Sequence, residues 1–70
     1  MDIKEAFGKR IKCLRNQLGI SQEELADKAE LDRTYITSVE CGKRNISIAN
    51  VEKLAKALNV TLSTLFDFKY

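Results

Sequence analysis

The sequence repeats one helix-start pattern, and that repetition narrows the possible folds more than any other feature. In each copy an apolar residue precedes a residue that can cap a helix, and another apolar residue lies four positions after the cap. This spacing is typical of an N-cap with a hydrophobic staple. The copies are Ile20/Ser21/Leu25, Leu31/Asp32/Ile36, Ile46/Ser47/Val51 and Val60/Thr61/Leu65. With a first helix capped by Asp2, they predict five helices, at about 2–18, 22–29, 33–41, 48–58 and 62–66.

Apolar residues recur at helical spacing, and no stretch alternates for long enough to predict a strand. The first helix has one inward stripe, made of Ile3, Phe7, Ile11, Leu14 and Leu18. The fourth has another, made of Ile48, Val51, Leu54, Ala55 and Leu58. Gly19 and Asn59 follow these helices, and both residues tolerate the left-handed conformation that ends a helix. The expected fold is therefore all-α.

The composition excludes several classes of function. Seventy residues, 44% hydrophobic and without proline, fit a single small helical domain over 1–70 whose modest core favours self-association. The chain has no span for a membrane and no signal peptide, so we expect a cytoplasmic protein. It has no histidine, no glycine-rich phosphate loop and too few residues to enclose a substrate pocket. We expect no enzyme, no metal, no cofactor and no small-molecule effector.

The second and third predicted helices have the spacing of a helix-turn-helix unit. The second contains Ala26, whose small side chain allows a close helix crossing. On the third, Ile36 and Val39 are expected to point inward, and the opposite face carries Thr34, Thr37, Ser38 and Cys41. Such a small polar face fits the major groove of DNA, and a long arginine at its start can bond a guanine bidentately. We predict base reading by Arg33, Thr34, Thr37 and Ser38; the alternative is an ordinary solvated helix face.

Polar and basic residues flank the third helix on both sides. Ser21 and Gln22 begin the second helix, and Lys43, Arg44 and Asn45 follow the third. Helix starts attract phosphate, and nearby cations and amides add to that attraction. We therefore predict phosphate contacts at these five residues. A helix C-cap and a solvated turn are the alternative for 42–45, and both interpretations can hold together.

The chain resembles the Cro/repressor (XRE-type) helix-turn-helix family in residues 21–26 (SQEELA), in Ile36 with Val39 and Glu40, and in residues 42–44 (GKR). Residues 31–36 and 42–45 look most like the controller proteins of restriction–modification systems and are also similar to short phage and plasmid repressors. The resemblance implies a five-helix homodimer that binds double-stranded DNA at a near-palindromic operator and regulates transcription.

By position, the resemblance also implies individual roles. Gln22 contacts the DNA backbone, and Arg15 pairs with Glu40. Both members of that pair flank the apolar stripe of their helix, so we expect a structural ion pair. Bases are read by Arg33, Thr34 and Ser38, and phosphates are held by Tyr35, Lys43, Arg44 and Asn45.

Two positions depart from the family pattern. Glu30 stands where the turn often carries glycine, so either the turn differs or Glu30 is strained by about 1 kcal/mol. Cys41 stands where a basic or polar residue is common, which removes one phosphate contact. Its thiol is either an inert small group or an oxidation switch. Cys13 is expected to be an exposed bystander.

The last nine residues contain large apolar side chains that exceed what one chain can cover: Leu62, Leu65, Phe66 and Phe68. One interpretation closes the monomer core with them, and the other builds a two-fold interface from helix five and part of helix four. A two-fold axis would place the recognition helices about 34 Å apart, which matches half-sites about 10 bp apart.

Two function classes follow from these observations. The first is a homodimeric, sequence-specific DNA-binding regulator of transcription. The second is a protein-interaction module of antitoxin-like type that uses the same fold. Salt dependence separates them, because DNA binding weakens steeply with salt and an apolar protein interface does not. The operator sequence, the regulated genes and the sign of regulation stay open.

Overall fold

The computed structural model describes residues 2–69, and the backbone there is helical without any strand. The helices are α1 (Ile3–Leu18), α2 (Gln22–Ala29), α3 (Arg33–Glu40), α4 (Ile48–Ala57) and α5 (Leu62–Leu65). The all-α prediction with five helices is confirmed. The predicted bounds differ by one residue at four ends, because Asp2, Cys41, Leu58 and Phe66 are the cap residues of their helices.

Every predicted N-cap forms. Each cap side chain accepts a hydrogen bond from a backbone N–H two or three residues further on, and the caps are Asp2, Ser21, Asp32, Ser47 and Thr61. At α2 the capping box is complete, since the Glu24 carboxylate also accepts from the backbone N–H of Ser21. The apolar residues before the caps pack against the core, namely Ile20, Leu31, Ile46 and Val60. Local sequence therefore sets where four of the five helices begin.

The core lies where α3 packs against both α1 and α2, and where α4 packs against α2. Its fully buried large side chains are Ile11, Leu25, Ile36, Leu54 and Leu65. Ile36 and Val39 point inward from α3, as predicted. The prediction that Ile48 points inward is wrong, because its side chain is 79% exposed. Helical side chains tilt toward the N-terminus, so the first residue of α4 projects beyond the end of its helix. Ile3 and Leu18, at the two ends of the α1 stripe, are also exposed.

Gly8 brings α1 against the end of α3. A Cβ atom at this position would collide with the Val39 carbonyl oxygen and lie 2.9 Å from that of Glu40. Both atoms belong to the backbone, so they cannot turn aside as a flexible side chain would. Only glycine lets the two helices approach this closely, and the sequence analysis did not single it out. Gly8 therefore helps to set the depth at which α3 sits on the core.

The turns after α2 and α4 both use a non-glycine residue in the left-handed region. Glu30 has φ 57° and Asn59 has φ 58°. The expectation for Asn59 is confirmed, and its short polar side chain suits this conformation. At Glu30 the turn keeps the left-handed geometry, so the second of the two alternatives holds and the residue is strained by about 1 kcal/mol. The α2–α3 turn therefore has its usual shape despite the missing glycine.

Candidate nucleic-acid interface

The outward face of α3 forms a shallow depression. Its lining brings together all four predicted base readers with one of the predicted phosphate contacts: Arg33, Thr34, Thr37, Ser38, Cys41 and Lys43. Arg33 and Thr34 are exposed, and within residues 2–69 neither side chain has a hydrogen-bond or ion-pair partner. Thr37 and Ser38 are half-buried and hydrogen-bonded. The four residues thus share one surface but differ in how free their polar atoms are.

A buried ion pair fastens α3 to α1, as the resemblance implied. The Nε of Arg15 donates to one carboxylate oxygen of Glu40 at 2.7 Å, and its Nη2 donates to the other at 3.0 Å. The two side chains are only 11% and 4% exposed. The Glu40 hydrogen bond raises the pKa of Arg15 above its ordinary value, and burial opposes this only in part. Such a two-point contact orients α3 as well as attaching it.

Gln22, predicted to contact the DNA backbone, is engaged inside the protein. Its amide nitrogen donates to Glu40 at 3.0 Å, and its amide oxygen accepts from the Thr37 hydroxyl at 2.9 Å. A side-chain phosphate contact would require the amide to leave these partners. Ser21 is exposed at the start of the same helix, with its hydroxyl accepting from the Glu24 backbone N–H. No feature of the sequence pattern indicated the link between Gln22 and Thr37, because it depends on the crossing of α2 over α3.

Arg44 is held over α3 by two contacts. Its guanidinium carbon lies 4.7 Å from the centre of the Tyr35 ring, and its Nε donates to the Ser38 hydroxyl at 3.0 Å. Asn50 on α4 donates to the Tyr35 hydroxyl at 3.1 Å, which fixes the ring. Sequence reasoning missed Asn50, since nothing local marks it. The loop cation is thus positioned by stacking on an aromatic ring. By contrast, the exposed side chains of Lys43 and Asn45 have no partner within residues 2–69.

The two cysteines are exposed and unpaired with each other. Among the described residues, no group of three or more His, Cys, Asp or Glu side chains could hold a metal ion. In the same part of the chain, no helix is both long and apolar enough to cross a bilayer.

The apolar C-terminal residues divide between core and surface. Leu65 is fully buried in the monomer, so the expectation that it contributes to a dimer interface is corrected: it offers no surface to a second chain. Phe68 is half-buried and packs against the core. Leu62 and Phe66 remain 46% and 42% exposed. The Phe66 ring lies 5.3 Å from that of Phe7 and 6.1 Å from that of Phe68.

An apolar groove continues from Phe66 across the domain. Ile3, Ile48 and Val51 line it together with Phe7 and Phe66. Ile3 and Ile48 lie on the surface, although helical periodicity places them in the inward stripes of α1 and α4. We call the exposed residues Ile3, Ile48, Leu62 and Phe66 the apolar face.

Comparison with known proteins agrees with this geometry. The sequence profile described as helix-turn-helix matches residues 11–65. The chain belongs to the helix-turn-helix family. Among its relatives is the control protein C.MunI of a Mycoplasma species, 50% identical over 66 residues that cover 93% of this chain and 89% of the relative. The control protein C.BamHI of Bacillus amyloliquefaciens is 43% identical over 96% of this chain and 84% of its own length.

Solved structures of family members have the same fold. The restriction–modification controller protein C.AhdI from Aeromonas hydrophila matches with a TM-score of 0.88 and 46% identity, covering 90% of this chain and 96% of that one. C.Esp1396I bound to a 25 base pair operator site matches with a TM-score of 0.88 and 36% identity, covering 96% and 88%. The recognition of the XRE-type family, and of its controller proteins in particular, is confirmed.

Proposed function

We propose that this chain is a sequence-specific regulator of transcription that binds double-stranded DNA as a homodimer on a near-palindromic operator. The proposal places it with the restriction–modification controller proteins it is similar to, one of which has been solved with its operator. Its activity is binding rather than catalysis, and its place of action is the cytoplasm.

The observation that carries the proposal is the outward face of α3. Small polar side chains line it, an exposed arginine stands at its first residue, and a buried ion pair fixes its orientation. A major groove admits such a helix, and its base edges present donors and acceptors to hydroxyls and guanidinium groups. Arg33 and Thr34 begin the helix, and their side chains have no polar partner within residues 2–69, so they are the strongest candidates for base contacts.

The surroundings of α3 supply the contacts that hold a duplex in place. Lys43, Arg44 and Asn45 are exposed in the loop after the helix, and Ser21 is exposed at the start of α2. Cations, amides and helix N-termini on either side of a groove-reading helix are the usual phosphate contacts. Tyr35 contributes by supporting Arg44. Gln22 contributes through its backbone N–H, because its side-chain amide is occupied.

The homodimer rests on the apolar face. The four side chains of the apolar face are 42–79% exposed, and three of them border one groove. A second copy would cover them and repeat the recognition helix about 34 Å away, one turn of DNA. The two-fold axis therefore connects dimerisation directly to operator symmetry.

The primary test is selection of bound duplexes from a random DNA pool at moderate salt, with wild type and Arg33→Ala in parallel. We expect a two-fold site whose half-sites lie about 10 bp apart. Arg33→Ala should lose about 1–3 kcal/mol and relax preference at one guanine per half-site. Uniform weakening across all sequences would instead make Arg33 a phosphate contact.

Salt titration tests the phosphate contacts. Lys43→Ala should weaken every sequence alike and reduce the slope of log K against log salt by about one per monomer. Lys53→Ala, which replaces an exposed lysine on α4, is the matched control and should leave the slope unchanged.

The selection experiment can also contradict the proposal as a whole. If folded wild-type protein enriches no duplex from the random pool, the proposal is overturned and the antitoxin-like protein-interaction module is favoured.

A further inference from the structure

The hydrogen bonds that join the buried ion pair to the surface of α3 have a fixed direction. Arg15 donates to both carboxylate oxygens of Glu40, and a carboxylate can only accept. The Gln22 group that faces Glu40 must therefore be its NH₂, at 3.0 Å. This turns the Gln22 amide oxygen toward Thr37. An amide oxygen also only accepts, so the Thr37 hydroxyl is the donor in the 2.9 Å contact.

The second neighbour of that hydroxyl is an acceptor as well. The Thr37 oxygen lies 3.1 Å from the backbone carbonyl oxygen of Arg33, one helical turn earlier. A hydroxyl has one proton, and both protein groups beside it can only accept. The proton is thus directed into the protein whichever of them takes it. What Thr37 presents to the depression on α3 is an oxygen lone pair and a methyl group.

We propose that Thr37 reads its base as a hydrogen-bond acceptor, with Gln22 as the positioning residue that holds its proton inside. The matching base atoms are the exocyclic amines of the major groove, adenine N6 or cytosine N4. Guanine O6, purine N7 and thymine O4 are acceptors, and they would meet a second acceptor. This inference rests on the proposed function, since it requires that α3 enter the major groove.

Other hydroxyls on the same helix show that this arrangement is particular to Thr37. Thr34 has no side-chain partner within residues 2–69, so its hydroxyl is free to donate or accept. Ser38 donates to the Tyr35 carbonyl at 2.8 Å and accepts from Arg44 at 3.0 Å, so its remaining capacity is smaller. Thr34 therefore provides a matched control, being the same residue type on the same helix with an uncommitted proton.

The experiment has two steps. Selection from a random DNA pool with wild type, Thr37→Val and Thr34→Val first identifies the base pair whose preference depends on each threonine. Valine keeps the shape and removes the hydroxyl. Duplexes with single-atom analogues at that base pair are then titrated: one lacks the exocyclic amine, others lack purine N7, guanine O6 or thymine O4, and uracil replaces thymine to remove the methyl.

For Thr37 we expect amine deletion to weaken wild type by roughly threefold to tenfold, the range of one neutral hydrogen bond. The same deletion should leave Thr37→Val unchanged. If deleting an acceptor atom of the base weakened wild type but not Thr37→Val, the hydroxyl would be a donor and the proposal would be overturned. The proposal would also be overturned if uracil were the only replacement to which wild type and Thr37→Val responded differently, since only the methyl would then touch the base.

Gln22→Met tests the positioning role, because methionine keeps the length of the side chain and removes its acceptor. The hydroxyl then keeps only its longer contact, 3.1 Å to the Arg33 carbonyl, so its proton is held inside less strongly. Discrimination against acceptor atoms should therefore fall at the Thr37 position alone. Equal discrimination in Gln22→Met and wild type would remove Gln22 from the proposal. A merely structural role would weaken all positions alike. Absence of any selected site in the wild type would contradict the proposed function, whereas an unchanged Thr37 position within a selected site contradicts only this inference.

Discussion

The two sides of this small domain differ in what they leave on the surface. Near α3, the buried polar groups are paired with each other. The Arg15 and Glu40 side chains are 11% and 4% exposed, and Arg15 donates to both carboxylate oxygens of Glu40. Around α4 and α5, apolar groups lie outside, with Ile48 79% and Phe66 42% exposed. Buried charge is stable only when it is paired, and exposed apolar surface is stable only when something covers it.

The two sides therefore differ in whether a single chain pairs its buried polar groups and covers its apolar groups. On the α3 side, the hydrogen-bonded network of Arg15, Glu40, Gln22 and Thr37 is formed entirely within one molecule. The α5 side leaves its apolar face exposed, and this face fits a second copy in the proposed homodimer. Binding to DNA would then use a prearranged surface, whereas its symmetry would come from an interface made between chains.

Loss of one member of the ion pair should have the largest effect. Glu40→Ala leaves the Arg15 charge buried without its partner and removes the acceptor of Gln22. We expect the free energy of unfolding to fall by about 3–5 kcal/mol, as when a buried pair loses one charge. Urea denaturation measures it, with Glu52→Ala, at an exposed residue of α4, as the control. Equal effects of the two variants would mean that the pair contributes no more than a surface charge.

Ile48→Lys should act on the other side without unfolding the monomer. The substitution replaces the most exposed residue of the apolar face with a charge, so dimer association should weaken by about 1.5–3 kcal/mol, the transfer free energy of one large apolar side chain. Sedimentation over a range of concentrations gives the dissociation constant. Gln17→Lys, at an exposed residue of α1, should associate as wild type does. A wild type that stays monomeric at all concentrations would contradict the contrast itself.

Gly8→Ala tests how closely α1 must approach α3. The added methyl meets backbone oxygens of Val39 and Glu40, so the helices must separate and the free energy of unfolding should fall by about 1–3 kcal/mol. Gly19→Ala is the comparison, because a Cβ there meets nothing within 4 Å. Its cost, about 1 kcal/mol, comes only from the positive φ. Thermal and urea unfolding should rank Gly8→Ala below Gly19→Ala in stability.

Glu30→Gly should stabilise the protein. It tests backbone strain within one turn, whereas the preceding variants test contacts between helices or between chains. Glycine adopts the left-handed conformation without strain, so a gain of up to about 1 kcal/mol is expected after its greater unfolded-state entropy is included. Asn59→Gly has almost the same φ but should gain less, because asparagine already tolerates this region. A loss of stability in Glu30→Gly would indicate that the Glu30 side chain contributes a contact of its own.

The pH dependence of the ion pair should be the smallest effect. The pKa of Arg15 is raised in the folded state. Its stabilising contribution is therefore complete below arginine's ordinary pKa and is lost only as the pH rises through the still higher folded value. The difference in unfolding free energy between wild type and Arg15→Ala should then be constant from about pH 6 to pH 9, as measured by urea denaturation at each pH. A difference that declined across this range would show that another titrating group controls the pair.

Features that depend on residues within one turn could be predicted from the sequence. Features that depend on how helices pack against each other could not. Ser21 with Glu24 and Asp32 with Thr34 form their caps within one turn, so spacing alone identifies them. The prediction for Ile48 is wrong because a periodic stripe does not reveal that the first residue of α4 projects beyond the end of its helix. The contacts of Gln22 were missed because its partners lie 15 and 18 residues away on another helix.

Four properties could be predicted from the sequence: that the chain is all-α, where its helices begin, that α2 and α3 form a helix-turn-helix unit, and which residues occupy the outer face of α3. These properties follow from spacing within one or two turns, which caps and periodicity encode directly. Helix packing in the tertiary structure controls which of those side chains have internal partners and which are exposed. It committed Thr37 and Gln22 to an internal network, placed Arg44 over Tyr35 and buried Leu65 while exposing Ile48. Such outcomes depend on how closely helices pack, and that distance is set at residues such as Gly8 by atoms more than thirty positions away.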